Sequence, residues 1–583
     1  MSDSSQARIA LLSSCTIELI EKPLAAALGK RGLAAEFWTP GFCQYRQVLI
    51  DPDSECYRFD PDAVILYLDG EDLFRSLLEN LLDFNRPERE QLAQQRVAEV
   101  RDLVGRLKRR LPRVCILLNT AAMPPVNILG SLEHNSDFSV QDAAAIYNRG
   151  LAEIARGNPG VIIVDAAALA AWLGYANWHD PRLWHLARSR WTRQATNLLA
   201  RRYAAAIATS RGGGRKCIVL DLDNTLWGGI IGEDGMDGLR LGEEGLGLAF
   251  REFQTELLSL HRQGILLALC SKNNPDDALQ VIRNHPGMRL REEHFAAMRI
   301  NWDDKASNLR SLAEELNIGL DSMVFVDDNP VERSWVREAI PEVHVADWPA
   351  DPSEYKSALL ELAAEHFVKF AITAEDLNRG ELYRQQARRR PPAIGTASLE
   401  DFYRSLQMRA TIAPASAATV PRIAQLTQKT NQFNLTTRRY SESDITALAA
   451  GPDSAVYSLE LDDCFGGNGI VGVMILRRKN EAWIIDTFLL SCRVMGRTVE
   501  NAFLSYITET VRKWGGRKLI GEYRPTAKNG PVAGLYREMG FRLWQEDPEG
   551  QRWELGLDHQ SISLPEWFQL SIEDKFHVGQ TSA

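Results

Sequence analysis

The stretch KCIVLDLDNTLWGG, residues 216–229, passes from an apolar run directly into two aspartates and a threonine. A short apolar run bounded by polar and glycine residues predicts a strand that is buried on both faces of a parallel sheet. Asp221, Asp223 and Thr225 would then lie at the carboxyl end of that strand. Ligands of open α/β sheets bind at this end, so the stretch predicts a functional site as well as a strand.

Polar side chains also end two further predicted strands of the same region. Ser271 and Asn273 come at the end of GILLALC, and Asp327 and Asp328 follow MVFV. Lys305 opens a predicted helix after NWDD. One strand that ends in a polar turn is common, whereas three such strands with a lysine nearby indicate a shared site at one edge of the sheet.

The residue types suit phosphoryl transfer. The carboxylate of Asp221 could attack phosphorus and form an aspartyl-phosphate, and Asp223 could give and take the proton. Thr225, Ser271 and Lys305 could hold the equatorial oxygens while negative charge develops. Clustered carboxylates need a hard divalent cation, and Mg²⁺ prefers oxygen ligands beside phosphate.

The spacing of these residues predicts a site without a cap domain. The segments from Asp221 to Ser271 and from Ser271 to Lys305 have room for a flap, WGGIIGEDGMDGLRL, and for single helices only. A lid that excludes water and selects a small molecule therefore has no obvious place. Either the site is open to a macromolecule or another domain of the chain covers it.

Composition excludes several classes of protein. The chain has 583 residues and a net charge of −10, which disfavours nucleic-acid binding. No stretch is apolar enough for a signal peptide or a membrane span, and eight cysteines without CxxC spacing disfavour a zinc site or a disulfide scaffold. We therefore expect a cytoplasmic protein. Basic clusters at 106–110 and 384–390 are expected to be solvated helix faces, with a docking patch for an acidic partner as the alternative.

The order of predicted elements indicates an α/β multidomain protein. Apolar strands alternate with helices in two series, which the glycine-rich TSRGGGRK separates, and strands and helices mix in the last part of the chain. The predicted divisions are a doubly wound domain at 1–210, a second α/β domain at 215–350, a helical linker at 351–400, an α+β domain at 401–550 and a C-terminal tail at 551–583.

The order DxDxT, Ser, Lys and DD in the second domain resembles the haloacid dehalogenase (HAD) superfamily. The resemblance implies a HAD-like fold with Asp221 as nucleophile and Asp223 as acid/base. Ser271 and Lys305 would hold phosphate. The implied Mg²⁺ ligands are Asp221, Asp223 through its main-chain carbonyl, Asp327 and Asp328.

Two stretches of the α+β domain resemble GNAT acyltransferases. SCRVMGRTVENAF resembles the loop that binds the pyrophosphate of coenzyme A, with Arg493, Gly496 and Arg497 as the implied anion-binding residues. A helix cap without a ligand is the alternative, and Thr498 stands where that loop has glycine or alanine. KNGPVAGLYREMGF resembles the later GNAT helix, which implies Asn529 beside the pantetheine arm and Tyr536 as proton donor to a leaving thiolate.

Blocks along nearly the whole chain together resemble one family, the FkbH-like glyceryltransferases of polyketide biosynthesis. The blocks are VLDLDNTLWGGIIGEDG, CSKNNP, NWDDKASNL, FVDDNPVER, QLTQKTNQFNLTTRRY, LLSCRVMGR and YRPTAKNGPV. The resemblance implies an enzyme that takes a D-glyceryl unit from 1,3-bisphosphoglycerate, dephosphorylates it and loads it as a thioester on the phosphopantetheine arm of an acyl carrier protein. Asn273 and Asn308 are expected to bind substrate. DDCFGGNG departs from the family, because we expect arginine at Cys464 and an acid at Gly467.

The implied reaction removes two phosphates by different chemistry. The C3 monoester suits Asp221 and Asp223, whereas the acyl phosphate at C1 should be lost to a thiol. Cys270 beside Ser271 and Cys492 beside the predicted anion loop are the candidates, with Cys270 slightly favoured. The alternatives are an Mg²⁺-dependent phosphatase with a non-catalytic GNAT-like module, a docking protein, or a loader of a related unit such as lactyl.

The first domain resembles an SGNH hydrolase. LLSSCT, residues 11–16, and DPRLWHLA, residues 180–187, stand where a nucleophilic serine and an Asp/His pair would be expected. The usual Gly-Asp-Ser turn is absent. A scaffold or docking role is therefore favoured over a Ser-His-Asp hydrolase.

Overall fold

The computed structural model describes residues 6–370 except 129 and 136, residue 372, and residues 399–572 except 431, 465, 481, 492, 493, 496, 527, 528 and 559. The chain divides into two compact units, Met1–Gly213 and Gly214–Ala583. Within the described residues, no helix combines the length and the apolar character that crossing a membrane requires. The basic cluster at 384–390 lies outside the described residues.

The first unit contains one parallel sheet. Its strands are β1 (Gln6–Ser13), β2 (Ala34–Trp38), β3 (Ala63–Tyr67), β4 (Cys115–Asn119) and β5 (Val161–Val164), in the order β2-β1-β3-β4-β5. The helices are Glu21–Gly29, Tyr45–Ile50, Glu55–Phe59, Gly70–Leu73, Arg75–Asn80, Arg86–Arg110, Ser131–His134, Val140–Gly157, Ala166–Leu173, Tyr175–Trp178, Pro181–Ala187 and Arg193–Ser210. Apolar clusters on both faces of the sheet bury its strands, as a parallel sheet requires.

A second parallel sheet begins the second unit. Its strands are β6 (Cys217–Leu220), β7 (Leu266–Ser271), β8 (Phe295–Ile300), β9 (Met323–Val326) and β10 (His344–Val345), in the order β10-β9-β6-β7-β8. The helices are Ile231–Gly238, Gly245–Arg262, Pro275–Asn284, Lys305–Leu316, Pro330–Ala339 and Tyr355–His366. The prediction of an α/β multidomain protein with parallel sheets is confirmed.

The predicted boundary at residue 350 is wrong. Tyr355, Leu359 and Leu362 of the last helix belong to the apolar cluster that also contains Ile218 and Leu220 of β6. The helix therefore completes the second domain instead of starting a linker. Hydrophobic residues at helical spacing look the same in a linker helix and in a core helix, so the sequence did not separate the two.

The third sheet is mixed and has eight strands. They are β11 (Met408–Pro414), β12 (Ser454–Asp463), β13 (Gly466–Lys479), β14 (Ala482–Leu490), β15 (Lys518–Tyr523), β16 (Arg542–Asp547), β17 (Gly550–Gly556) and β18 (Phe568–Ile572), in the order β16-β17-β15-β14-β13-β12-β11-β18. The helices around it are Leu399–Ser405, Val420–Lys429, Glu442–Ala450, Val499–Lys513 and Leu535–Glu538. The predicted tail at 551–583 is wrong over its first part, because β17 pairs with β15 and β18 pairs with β11.

Candidate active site

The central strand of the second sheet places Asp221 between two neighbouring strand ends. β6 pairs with β9 on one side and with β7 on the other, and the N–H of Asp221 still donates to the carbonyl of Val326 at 3.0 Å. Three adjacent parallel strands therefore end side by side at Asp221, Ser271 and Asp327. This arrangement brings the predicted residues to one edge of the sheet.

Three carboxylates lie together at this edge. Asp221, Asp327 and Asp328 each offer an oxygen, and these oxygens lie within 4.8 Å of one another. Burial and the charge of Asp221 raise the pKa of Asp327 to about 6, and they also raise the pKa of Asp328. Carboxylates held this close repel one another unless a cation or a proton joins them, so the cluster suits a divalent cation.

The side chain of Asp223 lies outside that cluster. Its Oδ1 accepts hydrogen bonds from the Trp227 indole at 2.8 Å and from the N–H of Ile231 at 3.2 Å, and its Oδ2 accepts from Asn273 Nδ2 at 2.9 Å. Burial raises the pKa of Asp223, although these hydrogen bonds favour its charged form. These three hydrogen bonds fix the orientation of the Asp223 carboxylate outside the cluster, which leaves only its main-chain carbonyl as a predicted metal ligand.

Lys305 joins two of the clustered carboxylates. Its Nζ lies 2.8 Å from Asp221 Oδ1 and 2.5 Å from Asp327 Oδ2. Burial disfavours the ammonium, but the two carboxylates outweigh that cost and raise the pKa of Lys305. Asp304 caps the helix that Lys305 opens by accepting from the N–H groups of Ala306 and Ser307, which fixes the start of the helix beside the cluster.

Two hydroxyl groups complete the group of predicted residues. Thr225 is fully buried, and its Oγ1 accepts from the N–H of Asp328 at 3.2 Å. Ser271 is buried, and Asn273 Nδ2 lies 3.5 Å from its Oγ. Thr225 thus joins the loops that follow β6 and β9, whereas Ser271 lies beside the amide that holds Asp223.

Three residues that sequence reasoning missed hold the loops of the site. Trp227 donates to Asp223, Arg333 Nη1 donates to the carbonyls of Asp327 and Asp328 at 2.6 and 2.7 Å, and Tyr355 donates from its hydroxyl to the carbonyl of Asn224 at 2.9 Å. Trp227 lies in KCIVLDLDNTLWGG and Arg333 lies in FVDDNPVER, so both belong to motifs that carry the family resemblance. Tyr355 is far along the chain, and no sequence signal connects it with Asn224.

The flap is short and closed at its base. Gly228 and Arg240 exchange two backbone hydrogen bonds, at 3.1 and 2.8 Å, and the helix Ile231–Gly238 lies between them. Between Ser271 and Lys305 the chain forms only one α-helix, a short 3₁₀ turn and β8 of the sheet itself. The described residues of this domain therefore contain no inserted cap.

The surroundings of Cys270 and Asn308 give little support to their predicted roles. Cys270 is buried in an apolar cluster with Val219 and Phe325, and burial raises the pKa of its thiol to about 12. A thiolate is the nucleophilic form, so this environment argues against the predicted acyl carrier. Asn308 exchanges hydrogen bonds with the amide of Asn301, at 2.8 and 3.2 Å, which uses its side chain within the protein.

The predicted pantetheine residues of the third sheet are largely buried or lie outside the described residues. Cys492, Arg493 and Gly496 are not described. Arg497 is buried, and its Nη1 lies 3.3 Å from the buried carboxylate of Asp463. Tyr536 is 1% exposed, and burial raises the pKa of its hydroxyl well above the usual value. The structure therefore offers no exposed proton donor at Tyr536.

In the first unit Ser14, one of the two serines of the SGNH-like block, forms hydrogen bonds to two aspartates. Ser14 Oγ donates to Asp72 Oδ2 at 3.1 Å and accepts from the N–H of Asp69 at 3.0 Å. Asp180 caps the helix Pro181–Ala187, and His185 is exposed on that helix. Among the contacts of the described residues, none joins Ser14 to His185, and the scaffold role stays a prediction.

Comparison with known proteins places the chain in a family. The family model described as FkbH, N-terminal domain, matches residues 8–203. The N-terminal part of the protein BF1531 from Bacteroides fragilis, solved as a structure containing a phosphatase domain complexed with Mg, is 30% identical at a TM-score of 0.59, over 64% of this chain and 97% of that chain. No curated protein matches the chain.

Two acetyltransferase structures are more distantly similar. The ribosomal-protein-S18-alanine N-acetyltransferase from Escherichia coli is 16% identical at a TM-score of 0.21, over 27% of this chain and 98% of that chain. The GNAT domain of S. lividans PAT is 15% identical at a TM-score of 0.22, over 25% of this chain and 89% of that chain. Similarity at this level carries no argument. The FkbH model matches the first unit, and the Bacteroides structure is 30% identical over 97% of its own chain. The chain therefore belongs to the FkbH-like family.

Proposed function

We propose that the second domain is an Mg²⁺-dependent phosphatase that removes the C3 phosphate of a glyceryl unit, within a chain that loads this unit on an acyl carrier protein. The observation that supports the proposal best is the convergence of Asp221, Asp327 and Asp328 beside Lys305, with the separately held Asp223 two residues away in sequence. The BF1531 structure, which contains a phosphatase domain complexed with Mg, supports the same chemistry.

The donor set fits Mg²⁺. Asp221, Asp327 and Asp328 would hold the ion, together with the main-chain carbonyl of Asp223, and all of these donors are oxygen atoms. When bound, Mg²⁺ supplies positive charge that neutralises the clustered carboxylates and the phosphate oxygens. Lys305 is the one cation among the described side chains that contacts both Asp221 and Asp327.

Each residue has a defined step in this proposal. An oxygen of Asp221 forms a bond to phosphorus while the bond from phosphorus to the glyceryl oxygen breaks. Asp223 gives its proton to the leaving oxygen and then takes a proton from the water that hydrolyses the aspartyl-phosphate. Lys305, Thr225 and Ser271 donate to the phosphate oxygens as negative charge develops.

The proposed substrate rests on the resemblance of the sequence blocks to FkbH-like glyceryltransferases, and membership of the FkbH-like family supports it. The donor is 1,3-bisphosphoglycerate, whose acyl phosphate at C1 is displaced by a thiol and whose C3 phosphate is hydrolysed. The acceptor is the phosphopantetheine arm of an acyl carrier protein, in polyketide biosynthesis and in the cytoplasm. The first unit is assigned an SGNH-like fold and the third sheet a GNAT-like fold on the motifs of their sequences.

One experiment tests the proposal. The full chain is incubated with 1,3-bisphosphoglycerate, Mg²⁺ and a holo carrier protein, and the carrier is weighed by intact mass spectrometry. A glyceryl mass increase supports the proposal, and with Asp221→Asn the added mass should retain phosphate. A carrier that gains no mass while phosphate is still released refutes glyceryl loading. A carrier that gains a phosphorylated unit from the unsubstituted enzyme refutes the role of the acidic cluster.

A phosphatase with a non-catalytic third domain is the second candidate. The buried ion pair of Arg497 and the buried hydroxyl of Tyr536 favour it, because neither group is exposed to an incoming arm. Release of phosphate without any carrier adduct supports this candidate. A lactyl unit on the carrier would instead support the related acyl donor.

A further inference from the structure

The strands β14 and β15 of the third sheet separate after a short paired region. They are parallel and pair from Ala482 with Lys518 to Ile485 with Gly521, whereas β14 continues to Leu490 and β15 to Tyr523. Diverging parallel strands leave N–H and C=O groups without partners from each other. An arm that ran from the predicted anion loop after β14 to Asn529 after β15 would have to pass through this opening.

The chain itself fills the opening with the segment Phe433–Thr436. Leu435 connects both sides, because its N–H donates to the carbonyl of Phe488 in β14 at 3.1 Å and its carbonyl accepts from the N–H of Arg524, just after β15, at 2.8 Å. The N–H of Leu490 donates to the carbonyl of Phe433 at 3.0 Å. The segment therefore acts as a short strand between β14 and β15, antiparallel to β14 at Asn434 and Leu489.

Asn529, the predicted contact of a pantetheine arm, holds this segment instead. Its Nδ2 donates to the carbonyl of Asn434 at 3.0 Å and to the carbonyl of Arg524 at 2.8 Å, and its Oδ1 accepts from the N–H of Thr526 at 2.7 Å. Asn529 is fully buried. Its amide is therefore occupied on both sides by the backbone of its own chain.

The segment is part of the core and not a surface loop. Phe433 and Leu435 belong to the main apolar cluster of the third sheet, and the ring of Phe433 lies 5.4 Å from that of Phe488 in an edge-to-face arrangement. Asn434 is fully buried, and Thr436 donates from Oγ1 to the carbonyl of Asp486 at 2.9 Å. Withdrawal of the segment would expose these residues and break its hydrogen bonds on both sides, so it would be costly.

Arg438, which follows the segment in sequence, forms ion pairs with two carboxylates beside the opening. Asp486 of β14 and Glu522 of β15 are buried, and Arg438 bridges them, with Nη1 2.6 Å from Asp486 Oδ1 and Nη2 2.8 Å from Glu522 Oε2. Tyr440 donates from its hydroxyl to Asp486 Oδ2 at 2.5 Å. These carboxylates are therefore paired within the protein and are not available to a cationic acceptor.

The start of the helix that follows the predicted anion loop is engaged by its own chain. Thr498 lies at the start of the helix Val499–Lys513 with a φ of 60°, and Trp567 donates from Nε1 to Thr498 Oγ1 at 2.9 Å. Trp567 precedes β18, in the part of the chain that the sequence predicted as a tail. The hydroxyl of the residue that precedes this helix is therefore occupied by an indole of the same chain.

We propose that Phe433–Thr436 is an internal strand, which takes the place of a pantetheine arm between β14 and β15. The third domain is then an acyltransferase-like domain that does not bind coenzyme A in this opening. A carrier arm must reach its thioester partner by another route. This inference is independent of the phosphatase activity.

Hydrogen exchange of the full chain tests the proposal directly. Amides of Phe433–Thr436 should exchange as slowly as those of β13, within about tenfold, because both belong to the same cooperative core. Millimolar coenzyme A or pantetheine should leave these rates unchanged. Rapid exchange in the segment, or deprotection of the segment when either compound is added, would overturn the proposal.

A register test needs no ligand. Asn434 and Leu489 face each other as a non-hydrogen-bonded antiparallel pair, whose Cα atoms lie about 4.5 Å apart, within the range of a disulfide. Asn434→Cys with Leu489→Cys should therefore form a disulfide in the folded chain, detected by peptide mapping. The control, Asn434→Cys with Phe488→Cys, moves one thiol to the opposite face of β14 and should stay reduced. If neither pair forms a disulfide, or if both form it equally, the proposed internal strand at Phe433–Thr436 is contradicted.

Discussion

Replacing Trp227 by phenylalanine should change the protonation of Asp223 more than it changes the fold. Trp227 is fully buried, and its indole N–H donates to Asp223 Oδ1 at 2.8 Å. Phenylalanine keeps an aromatic ring in the same apolar cluster but has no donor. The substitution therefore removes one of the hydrogen bonds that favour the charged form of Asp223.

The size of the effect follows from the remaining partners of the carboxylate. A hydrogen bond to a charged group contributes about 1.5–3 kcal/mol, and Asp223 keeps the N–H of Ile231 and the amide of Asn273. We expect the lower value, about 1.5 kcal/mol, which is about tenfold in the protonation equilibrium. Loss of the bond favours the protonated form, so the pKa of Asp223 rises further.

Asp223 must be protonated to deliver a proton to the leaving oxygen. The alkaline limb of the pH profile of kcat/KM should therefore move up by about one pH unit in Trp227→Phe. The assay is phosphate release from a simple phosphomonoester at saturating Mg²⁺ over the whole pH range, with circular dichroism at each pH as a check of folding.

The matched control is Trp348→Phe. Trp348 belongs to the same apolar cluster and packs on Tyr355, with ring centroids 5.1 Å apart, so its replacement has a similar packing cost. Its profile should keep the position of the wild-type limb. If the limb of Trp227→Phe also superimposes on the wild type, Trp227 only packs and does not tune Asp223.

Four further substitutions have defined outcomes. Asp328→Asn removes one of the clustered carboxylates, so the Mg²⁺ concentration for half-maximal phosphate release should rise at least about tenfold, measured by Mg²⁺ titration against wild type. Cys270→Ala should keep any acyl-enzyme adduct in intact mass spectra, whereas Cys492→Ala should lose it, because burial raises the pKa of the Cys270 thiol to about 12. Burial raises the pKa of Asp69 to about 7 despite its pair with Arg190, so the folded state keeps a proton that the unfolded state loses, and stability falls as pH rises from about 4 to 7. Asp69→Asn should therefore flatten the dependence of Tm on pH in this window, and an unchanged slope contradicts that account.

The acidic site could be predicted because strand ends leave a local signal. Apolar runs that stop at Asp221, Ser271 and Asp327 identify both the strands and the edge at which their polar residues meet. Strands with weaker apolar patterns, such as AAEFW at Ala34–Trp38 and FAAMRI at Phe295–Ile300, were not predicted. Their neighbours in the sheet, and not their own composition, make them strands.

The geometry of the strand argues against the preference for Cys270. Successive side chains of a strand point to opposite faces of the sheet, so a residue next to Ser271 in sequence points away from it in space. Cys270 accordingly belongs to the apolar cluster that also contains Cys217, on the face where the helix Lys305–Leu316 packs. Distance along the sequence is therefore a poor measure of distance to the site within a strand.

The internal strand at Phe433–Thr436 could not be predicted from NQFNLTT, because its partners lie more than fifty residues later in the chain. The same residues that resemble coenzyme A contacts, such as Asn529, are the ones that hold this segment. A sequence motif thus predicts the fold of the backbone, whereas the hydrogen-bond partners of its side chains indicate whether a ligand can bind there.

The two halves of the second unit place different demands on a substrate. At the acidic site Asp221 and Lys305 are buried although the described residues of this domain contain no inserted cap. A terminal phosphate on a slender chain can enter such an opening more easily than a phosphate in the middle of a bulky molecule. The C3 phosphate of a glyceryl unit meets this condition whether the unit is free or attached to an arm. The proposed internal strand predicts that a carrier arm would approach the acidic site without threading between β14 and β15.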